Sequence, residues 1–472
     1  MASPAPWARP TPGRSGQGLE NGRVAIIGGG MSGLVCGKRL AELGCSVTIF
    51  DTGKHAAGGR MSSRILNMKF AAGKAKNAKV DHSTQFFTAT DPKFTALVEE
   101  WEKNGVVQEW KGPVGVLDKG SFTGLAASSK LWVGVGGIDA IARHLSKSLR
   151  VELDTWVAVV ERQEDGKWRL FRDNMRRRRL SSEVGRQSDF DYIVVAHNGK
   201  CAERLMRDAE VPALHRLLKC KFSNAAPPKD LMQLSSLWVL AFAVEGTLGL
   251  PFEGAFVKNH PDLCWVSDNT RKLATPAQRE KVAEGGYETW TVISSRNYGT
   301  RNKVPQEAIP EDVEERIVDE LLRAFESSAG LKNGSIRPIA RRVQLWGAGV
   351  PMNAFTGGPC VLDRATASGI CGDWLIEPSV QGAALSGLAM AEAIVGDIKG
   401  TVTSDLGIPE DLRGCFAPAP APACGAFPGL EVGDFNPPEA SRKPVRPMEG
   451  QEEGGSGGRG GELANREVID MR

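Results

Sequence analysis

Two short apolar runs flank an amphipathic stretch near the start of the chain. Residues 23–27, RVAII, form a β-branched run of the kind that is buried on both faces of a parallel sheet. Residues 31–44, MSGLVCGKRLAELG, carry apolar side chains at helical spacing, and residues 45–50, CSVTIF, form a second strand-like run. Because Gly28-Gly29-Gly30 separates the first run from the helix, the pattern predicts a strand, a tight turn, a helix and a second strand.

This order is the context in which a glycine-rich turn binds a dinucleotide. Gly28 allows the tight turn, Gly30 lets the backbone approach a pyrophosphate, and Gly33 lets the helix pack close to the sheet. The helix N-terminus offers amide groups and the positive end of its dipole to the phosphates. Asp51 follows the second strand, where its carboxylate can accept hydrogen bonds from a ribose diol and would repel a 2′-phosphate. The cofactor residues predicted here are Gly28, Gly30, Met31, Ser32, Gly33 and Asp51.

A second glycine pair occurs in residues 58–64, GGRMSSR. Paired glycines soon after the second strand let the backbone pass close to an extended cofactor, and Arg60 can offer its guanidinium to the pyrophosphate or the flavin edge. A simple NAD-binding fold does not require this pair. Taken alone, the stretch is equally typical of a surface turn with a solvated arginine. The cofactor residues predicted here are Gly58, Gly59, Arg60 and Met61.

Residues 369–397, GICGDWLIEPSVQGAALSGLAMAEAIVGD, favour FAD over NAD. A short strand ends before Asp373, and a helix rich in glycine and alanine follows Ser379. Glycine weakens a helix, so this composition indicates that the helix backbone approaches another surface closely. Asp373 is predicted to bind a ribityl hydroxyl, while the first amides of the helix face the N1–C2=O side of a flavin and stabilise its reduced anion. The alternative is a plain packing helix after an Asp turn. The predicted residues are Gly372, Asp373, Val380, Gln381, Gly382 and Ala383.

The region between these motifs predicts a second layer of structure. Several runs are rich in β-branched and aromatic residues, and the segment 310–329 has apolar side chains at helical spacing. We therefore predict an antiparallel sheet with helices that covers the flavin as a substrate domain. The predicted strands are 235–246, 263–269, 288–295 and 337–347.

The motifs and their order resemble those of the renalase-like branch of the flavin-dependent amine oxidase superfamily. The fingerprint GGGMSGL and the stretch GGRMSSR are followed by VDHSTQFFTATDPKF (80–94), by WVGVGGIDAIARHL (132–145) and by the C-terminal motif. The resemblance covers residues 23–394 and implies a bound FAD, a two-domain fold and an oxidoreductase activity.

The resemblance also implies positions for individual residues. Gln85 and Phe86 would lie at the cofactor, and a strand supplied by residues 149–153 and Thr155-Trp156-Val157 would bring its backbone to the adenine. The FAD is expected to be non-covalent, because Cys371 has the character of a buried strand residue rather than of a flavin-attaching cysteine.

The sequence departs from this branch at several positions. Ala56 stands where the superfamily often has Arg, and Ser83-Thr84 replaces the Gly-Ala that precedes Gln in the branch. His197 and Asn198 stand where bacterial relatives usually carry small apolar residues and Pro. These two positions leave the substrate preference open.

The predicted fold class is therefore α/β, with a Rossmann-like FAD-binding domain and a discontinuous α+β substrate domain built on an antiparallel sheet. Both ends of the chain are rich in Pro and Gly and low in apolar content, which predicts disordered tails. The predicted limits are 1–22 for the N-terminal tail, 23–64, 131–210 and 362–398 for the FAD-binding domain, 65–130 and 211–361 for the substrate domain, and 399–472 for the mostly disordered C-terminal tail.

Composition excludes several classes of protein. The 472 residues carry a net charge of only +3, so no general attraction to nucleic acid is expected. The nine cysteines form no CxxC pair and show no zinc-ligand spacing, which predicts no metal site and suits a reducing compartment. No apolar run is long enough to span a bilayer. The insertion 172–186, with four consecutive arginines, is interpreted as a solvated loop rather than a targeting signal or nucleic-acid patch.

The N-terminal tail has no apolar region of the kind found in secretory signals, so a cytoplasmic location is expected. Because the tail is poor in acidic residues, a transit peptide to a plastid or another organelle is the alternative.

The expected chemistry belongs to the cofactor, since a flavin accepts a hydride equivalent from a donor carbon held over its N5 atom. No catalytic residue is therefore predicted, and the expected partner is a small-molecule substrate, either a small amine or a dihydronicotinamide-type ring. The alternatives are a desaturase-like flavoprotein with an apolar substrate and a flavin-binding protein with a regulatory role; the oligomeric state is left open. Lys258 is expected to be a surface lysine rather than one that holds water near N5. Residues predicted to form the cavity wall are His82, Gln85, Phe86, His197, Trp346 and Trp374.

Overall fold

A computed structural model describes residues 22–70, 75–125, 130–172, 189–274, 286–306 and 308–419. The basic insertion beyond Arg172 and the N-terminal tail before Gly22 lie outside the described residues. The strands, numbered in chain order, are β1 (Arg23–Ile27), β2 (Ser46–Phe50), β3 (Ser63–Lys69), β4 (Ala75–Asp81), β5 (Val107–Glu109), β6 (Val114–Asp118), β7 (Ser121–Gly124), β8 (Trp132–Gly134), β9 (Arg150–Glu152), β10 (Val159–Arg162), β11 (Trp168–Phe171), β12 (Tyr192–Val195), β13 (Cys220–Phe222), β14 (Met232–Glu245), β15 (Gly254–Val257), β16 (Leu263–Asp268), β17 (Tyr287–Ser294), β18 (Ala340–Pro351), β19 (Asn353–Phe355), β20 (Val361–Asp363), β21 (Ser368–Ile370) and β22 (Phe416–Pro418).

The α-helices are numbered in the same way. Within the described ranges, none of them is both long enough and apolar enough to cross a bilayer. The helices are α1 (Met31–Glu42), α2 (Pro92–Lys103), α3 (Asp139–Ser146), α4 (Lys200–Asp208), α5 (Pro212–Leu218), α6 (Asn269–Lys272), α7 (Arg296–Arg301), α8 (Glu311–Ala329) and α9 (Val380–Ile398).

A six-stranded sheet with the order β20-β21-β12-β1-β2-β9 forms the Rossmann-like part of the fold. Its neighbouring strands are parallel except for the edge pair β20–β21. Along β1, Val24 and Ile26 face one apolar core, while Ala25 and Ile27 face the other. Successive side chains of a strand point to opposite faces, so the continuous apolar run is explained by burial of both faces. The predicted strand–turn–helix–strand unit is confirmed.

A second sheet has the order β13-β14-β17-β16-β15-β6-β7, with β18 paired to β14. It is mainly antiparallel, as predicted, but its pairs β13–β14 and β15–β6 are parallel. The helix α8 covers one face, where Phe325 packs against Phe242 and Trp290. The predicted strands correspond to β14, β16, β17 and β18. β18 begins only at Ala340, because Pro338 has no amide hydrogen to donate to a neighbouring strand.

The glycine-rich helix α9 packs directly on α1. A β-carbon added at Gly387 would lie 2.3 Å from the Ser32 carbonyl oxygen, so the two helix backbones approach more closely than any side chain would allow. The sequence prediction that this helix closely approaches another surface is confirmed, and that surface is the helix that follows the fingerprint turn.

Helix α2 and the end of the described chain do not follow the predicted domain limits. Phe94 and Trp101 of α2 belong to the apolar core that contains Val24 of the first sheet, although α2 was assigned to the substrate domain. Phe416 is buried and β22 pairs with β19, so the prediction of disorder from residue 399 is wrong for 399–418. The sequence prediction failed because the few apolar side chains that the fold buries here, Leu412 and Phe416, stand in a proline- and glycine-rich stretch without a periodic pattern. Residues 420–472 lie outside the described part of the chain.

Candidate functional site

The glycine-rich turn after β1 has the backbone geometry that the sequence predicted for it. Gly28 has φ +111°, a conformation that favours glycine, and a β-carbon there would lie 2.9 Å from the Ala196 carbonyl oxygen. A β-carbon at Gly33 would lie 2.0 Å from the Gly28 carbonyl oxygen. Gly30 differs from both, because its φ of −73° suits any residue and nothing lies within 4 Å of an added β-carbon. The Gly30 position therefore opens onto free space beside the N-terminus of α1.

Asp51 is bound to the same turn. Its Oδ2 atom accepts a hydrogen bond of 2.7 Å from the Gly29 amide, and its Oδ1 atom accepts one of 2.7 Å from the Gly53 amide. A carboxylate has about four acceptor positions, so two remain for a ligand hydroxyl. The carboxylate is thus oriented by the backbone, as a ribose-binding group requires.

Arg60 and Asp373 bind each other. Arg60 Nη1 donates to Asp373 Oδ2 at 2.7 Å, and Arg60 Nη2 donates to Oδ1 at 2.8 Å, a bidentate pair. Arg60 Nη1 also donates to the Gly349 carbonyl oxygen of β18 at 3.2 Å. The sequence interpretation gave these two side chains separate contacts with the cofactor, whereas the structure joins them into one unit at the meeting point of the two sheets.

The turn after β1, the second glycine pair and the segment before α9 all face one cavity of about 860 Å³. This volume lies in the upper part of the range of about 300–1,000 Å³ that is usual for ligand and cofactor sites. The predicted cofactor residues that line it are Gly28, Gly30, Met31, Ser32, Asp51, Gly58, Gly59, Arg60, Met61, Val157, Gly372, Asp373, Val380 and Ala383.

The remaining predicted cofactor residues do not line this cavity. Gly33 and Gly382 are packed against backbone, and Gln381 accepts hydrogen bonds from the Thr90 and Asp91 amides, which ties α9 to the start of α2. Gln85 and Phe86 lie inside the protein. The residues outside the cavity lining are Gly33, Gln85, Phe86, Gln381 and Gly382.

Gln85 belongs to a buried polar network instead of the cavity wall. Its Oε1 atom accepts hydrogen bonds from Ser267 Oγ at 2.7 Å and from Lys272 Nζ at 2.9 Å. Lys272 is fully buried and lies 3.0 Å from Asp81 Oδ2, and burial lowers its pKa while Asp81 counteracts this effect. Phe86 is also fully buried and packs on Trp265. A sequence pattern cannot distinguish such interior residues from cofactor contacts, since both are buried.

Hydrogen bonds connect this network to the backbone of Arg60. Gln85 Nε2 donates to the carbonyl oxygens of Asp81 and Ser83 at 2.9 and 3.1 Å, which fixes the loop after β4. The Arg60 carbonyl oxygen accepts hydrogen bonds from the Ser83 hydroxyl and from the Thr84 amide, the latter at 3.2 Å. Gln85 therefore acts on the cavity through the backbone of the residue that binds Asp373.

The segment around Val157 has no strand. The strand predicted within 149–153 is present as β9 (Arg150–Glu152), but the next strand, β10, starts only at Val159, so the strand predicted at 155–157 is wrong. The Thr155 amide nevertheless donates to the Asp51 carbonyl oxygen at 2.9 Å, and residues 155–158 line the cavity. Backbone hydrogen bonds from the Asp154 and Thr155 amides to the loop after β2 hold the segment in place without the repeating ladder of a strand.

Two histidines lie near the cavity and both are neutral at neutral pH. His82 is buried, and burial together with Arg64 lowers its pKa to about 3; its Nδ1 atom donates to the Ser62 carbonyl oxygen at 2.8 Å. His197 lines the cavity, and burial lowers its pKa as well. Because the Ile27 carbonyl oxygen, 3.1 Å from His197 Nδ1, can only accept, the proton is on Nδ1 and Nε2 is an acceptor.

The two tryptophans predicted for the cavity wall are both found there. Trp346 and Trp374 line the cavity, and Trp374 Nε1 is buried without a hydrogen-bond partner among the described residues. Lys258 is exposed at the end of β15, outside the cavity lining, as expected for a surface lysine. In the described part of the chain, no group of three or more His, Cys, Asp or Glu side chains is arranged to hold a metal ion.

Sequence reasoning missed the cationic side of the cavity. Lys200, Arg204 and Lys303 line it, together with Arg172 at the start of the basic insertion. Lys200 pairs with Glu203, but Arg172, Arg204 and Lys303 have no carboxylate partner within the described ranges. Lys200 and Arg204 follow the carboxyl end of β12, which is where α/β sheets bind ligands. These two residues could therefore have been predicted from the sequence. Lys303 belongs to a loop with no motif and is brought here only by the fold.

The comparisons with known proteins agree with this architecture. Residues 26–101 match the family model of the NAD(P)-binding Rossmann-like domain. The structure is similar to that of reduced UDP-galactopyranose mutase, with a TM-score of 0.52 and 11% identity over 82% of this chain and 96% of that chain. It also aligns with cyclohexylamine oxidase from Brevibacterium oxydans IH-35A (TM-score 0.49, 13% identity, 80% and 99% covered). Putrescine oxidase bound to putrescine aligns at a TM-score of 0.48 and 11% identity, with 80% and 99% covered. The fold is thus a Rossmann-like α/β fold with a second sheet.

Proposed function

We propose that this protein is an FAD-dependent oxidoreductase that takes a hydride equivalent from a small organic donor, as in the renalase-like branch. The observation that carries the proposal is the joining of two distant motifs in one cavity. The fingerprint turn with Asp51 lines it from one end of the sequence, and Gly372-Asp373 with the N-terminus of α9 lines it from the other. An NAD-binding site needs only the first motif, whereas FAD is long enough to use both.

The residues present fit such a cofactor. Gly30 opens onto the cavity beside the first amides of α1, which suits a pyrophosphate. At the other end, α9 begins with Val380, and Ser379 Oγ accepts a hydrogen bond from the Gly382 amide, which leaves the nearer amides free to face a ligand. Trp374 Nε1 is a buried donor without a partner among the described residues, so a ligand acceptor would satisfy it. Non-covalent binding is part of the proposal.

When bound, the flavin supplies the two-electron chemistry, and the protein supplies position and surroundings. Trp346 and Trp374 line the cavity with aromatic rings against which a flat ring could pack. His197 faces the cavity as a neutral imidazole whose Nε2 atom can accept a proton from a donor. The pair Arg60–Asp373 is electrically neutral, so it orients groups without adding net charge to the centre.

The charge of the lining favours a dihydronicotinamide-type donor over a protonated amine. The acids of the lining are already engaged, since Asp373 pairs with Arg60, Asp208 pairs with Arg207, and Asp51 accepts two backbone amides. The cations Arg204 and Lys303 have no such partner within the described ranges. The ammonium group of a protonated amine substrate would be repelled by these cations, whereas a neutral ring or an anionic group would not.

The test is the visible spectrum of the purified protein and its bleaching without oxygen. A panel of N-alkyl dihydronicotinamides, reduced nicotinamide dinucleotides and primary amines is mixed with the yellow protein in a stopped-flow instrument. We expect fast bleaching by at least one dihydronicotinamide and slow or no bleaching by the amines. Fast bleaching by amines alone would reverse the donor assignment. A flavin that no donor reduces would support a regulatory role, and a colourless protein that cannot be reconstituted with FAD would overturn the proposal.

A further inference from the structure

Beside Asp51, a short segment is held rigidly against the loop after β2. The Asp51 amide donates to the Glu152 carbonyl oxygen at 3.0 Å, and the Thr155 amide donates back to the Asp51 carbonyl oxygen at 2.9 Å. The Asp154 amide donates to the Gly53 carbonyl oxygen at 3.1 Å. The residue that follows this clamp, Trp156, has its backbone position fixed relative to the carboxylate that suits a ribose.

The side chain of Trp156 is exposed although its neighbours are not. Half of its surface, 50%, is accessible to solvent, while Val157 is 8% and Thr155 is 1% exposed. Among the described residues the only other large apolar side chain with such exposure is Ile65, which does not line the cavity. Trp156 does line it. An indole left in water at the rim of a ligand cavity is a surface that a flat ligand group can cover.

We propose that Trp156 stacks on the adenine ring of the cofactor and closes the adenosine end of the cavity, the part lined by Asp51, Thr155, Trp156 and Arg172. The inference rests on the proposed function only in that the bound dinucleotide is FAD. The Thr155 amide is bonded to the Asp51 carbonyl oxygen, so an adenosine whose ribose bound the Asp51 carboxylate would have the segment that carries Trp156 beside its base. Arg172 is exposed there, and its Nη2 atom donates to Thr155 Oγ1 at 3.2 Å, so a cation borders the same opening.

Trp156 would add an aromatic contact to a site that otherwise offers backbone amides and the Asp51 carboxylate. The fingerprint turn and α1 recognise phosphates, and Asp51 recognises hydroxyls, but none of these groups reads the base. Stacking of a nucleic-acid base on an aromatic side chain is worth about 1–3 kcal/mol, which corresponds to roughly 5- to 150-fold in affinity. Trp156 therefore gives a measurable share of the affinity and slows release of the cofactor through this opening.

The test compares two ligands that share only the adenosine half. The dissociation constants of FAD and of ADP are measured for the wild type, for Trp156→Ala, for Trp156→Phe and for the matched control Ile65→Ala. We expect Trp156→Ala to weaken both ligands by the same factor of about ten or more. Trp156→Phe should keep most of the affinity, and Ile65→Ala should match the wild type. Since Trp156 is half exposed, the melting temperature of the ligand-free variants should stay unchanged.

The outcomes separate this inference from the proposed function. Unchanged affinity in Trp156→Ala, or a loss for FAD without a loss for ADP, would overturn the stacking contact. A wild type that binds ADP but not FAD would overturn the flavoenzyme assignment while leaving the adenosine contact of Trp156 to be judged from the ADP series alone.

Discussion

Arg60 and Asp373 are 313 residues apart in the chain and form a two-bonded ion pair with N–O distances of 2.7 and 2.8 Å. The Asp373 side chain is 4% exposed and that of Arg60 is 27% exposed. The pair joins the second glycine pair to the segment before α9, and through the Gly349 carbonyl oxygen it also touches β18. It therefore holds together the two motifs to which the proposed function assigns the cofactor.

The first prediction concerns this pair. Asp373→Asn keeps the shape but removes the charge, and should lower the free energy of unfolding by about 1–3 kcal/mol, because a charged hydrogen-bonded partner is lost. Arg60→Met and the double variant complete a cycle, and their coupling should exceed about 0.5 kcal/mol. The exposed pair Arg150–Glu152 is the control, since Glu152→Gln should change stability by less than about 1 kcal/mol. The unfolding free energies of the wild type and the four variants are measured by urea unfolding. A coupling energy near zero would contradict the stabilising role of the Arg60–Asp373 pair.

The second prediction uses the open space at Gly30. Gly30→Val should fold normally, because its φ is −73° and no atom lies within 4 Å of the new β-carbon, yet its branched side chain would fill the place of the pyrophosphate. We expect soluble protein without bound flavin, with the melting temperature of the flavin-free wild type. Gly124→Val is the matched control, since an added β-carbon there also meets nothing within 4 Å and the site is remote from the cavity lining. A yellow Gly30→Val protein with a normal flavin spectrum would contradict the assignment of this turn.

The third prediction is a pH dependence of stability caused by His82. Its pKa is lowered from 6.5 to about 3 by burial and by Arg64, with Arg342 adding to the effect, so the folded protein stays unprotonated there while the unfolded chain takes up a proton below pH 6.5. Stability from this group is present above pH 6.5 and is lost as the pH falls towards 3. The slope is at most about 1.4 kcal/mol per pH unit, or about 1 kcal/mol between about pH 7 and about pH 5.5.

The matched variant is His82→Asn, whose amide can still donate to the Ser62 carbonyl oxygen. Its unfolding free energy should depend on pH less steeply than that of the wild type by the amount given above. The unfolding free energies of both proteins are measured by urea unfolding at about pH 7 and about pH 5.5. An equal change in unfolding free energy between the two pH values for wild type and variant would show that His82 does not remain neutral in the folded protein.

The fourth prediction concerns the end of the described chain. A protein that ends at residue 414 loses β22 and the buried Phe416, whereas one that ends at residue 419 retains both. We expect the shorter protein to be less stable by about 3 kcal/mol or more, because loss of a buried phenylalanine side chain typically costs that much. Phe416→Ala in the full chain should reproduce most of the loss. Equal melting temperatures for the two truncations would contradict the packing of Phe416 against Trp374 and Phe355.

The sequence by itself determined the local units of this protein. The apolar run of β1, the glycines of the following turn and the periodicity of α8 each depend on side chains that are near one another in the chain, so strand, turn and helix could be predicted from them. The close packing of α9 was also predictable, because glycines in a helix are unfavourable unless a neighbour requires them. The Rossmann-like class followed from the order of these units.

Only the tertiary structure decided which distant residues meet. The pairing of Arg60 with Asp373, the burial of Gln85 against Lys272, and the arrival of Lys303 at the cavity join residues from separate parts of the chain. A polar residue has the same sequence signature whether it contacts a cofactor, a buried ion or solvent, since the difference is set by neighbours that the local pattern does not contain. For the same reason Phe416, one aromatic side chain in a proline-rich stretch, had no periodic signal, and its burial follows only from the strand that it meets.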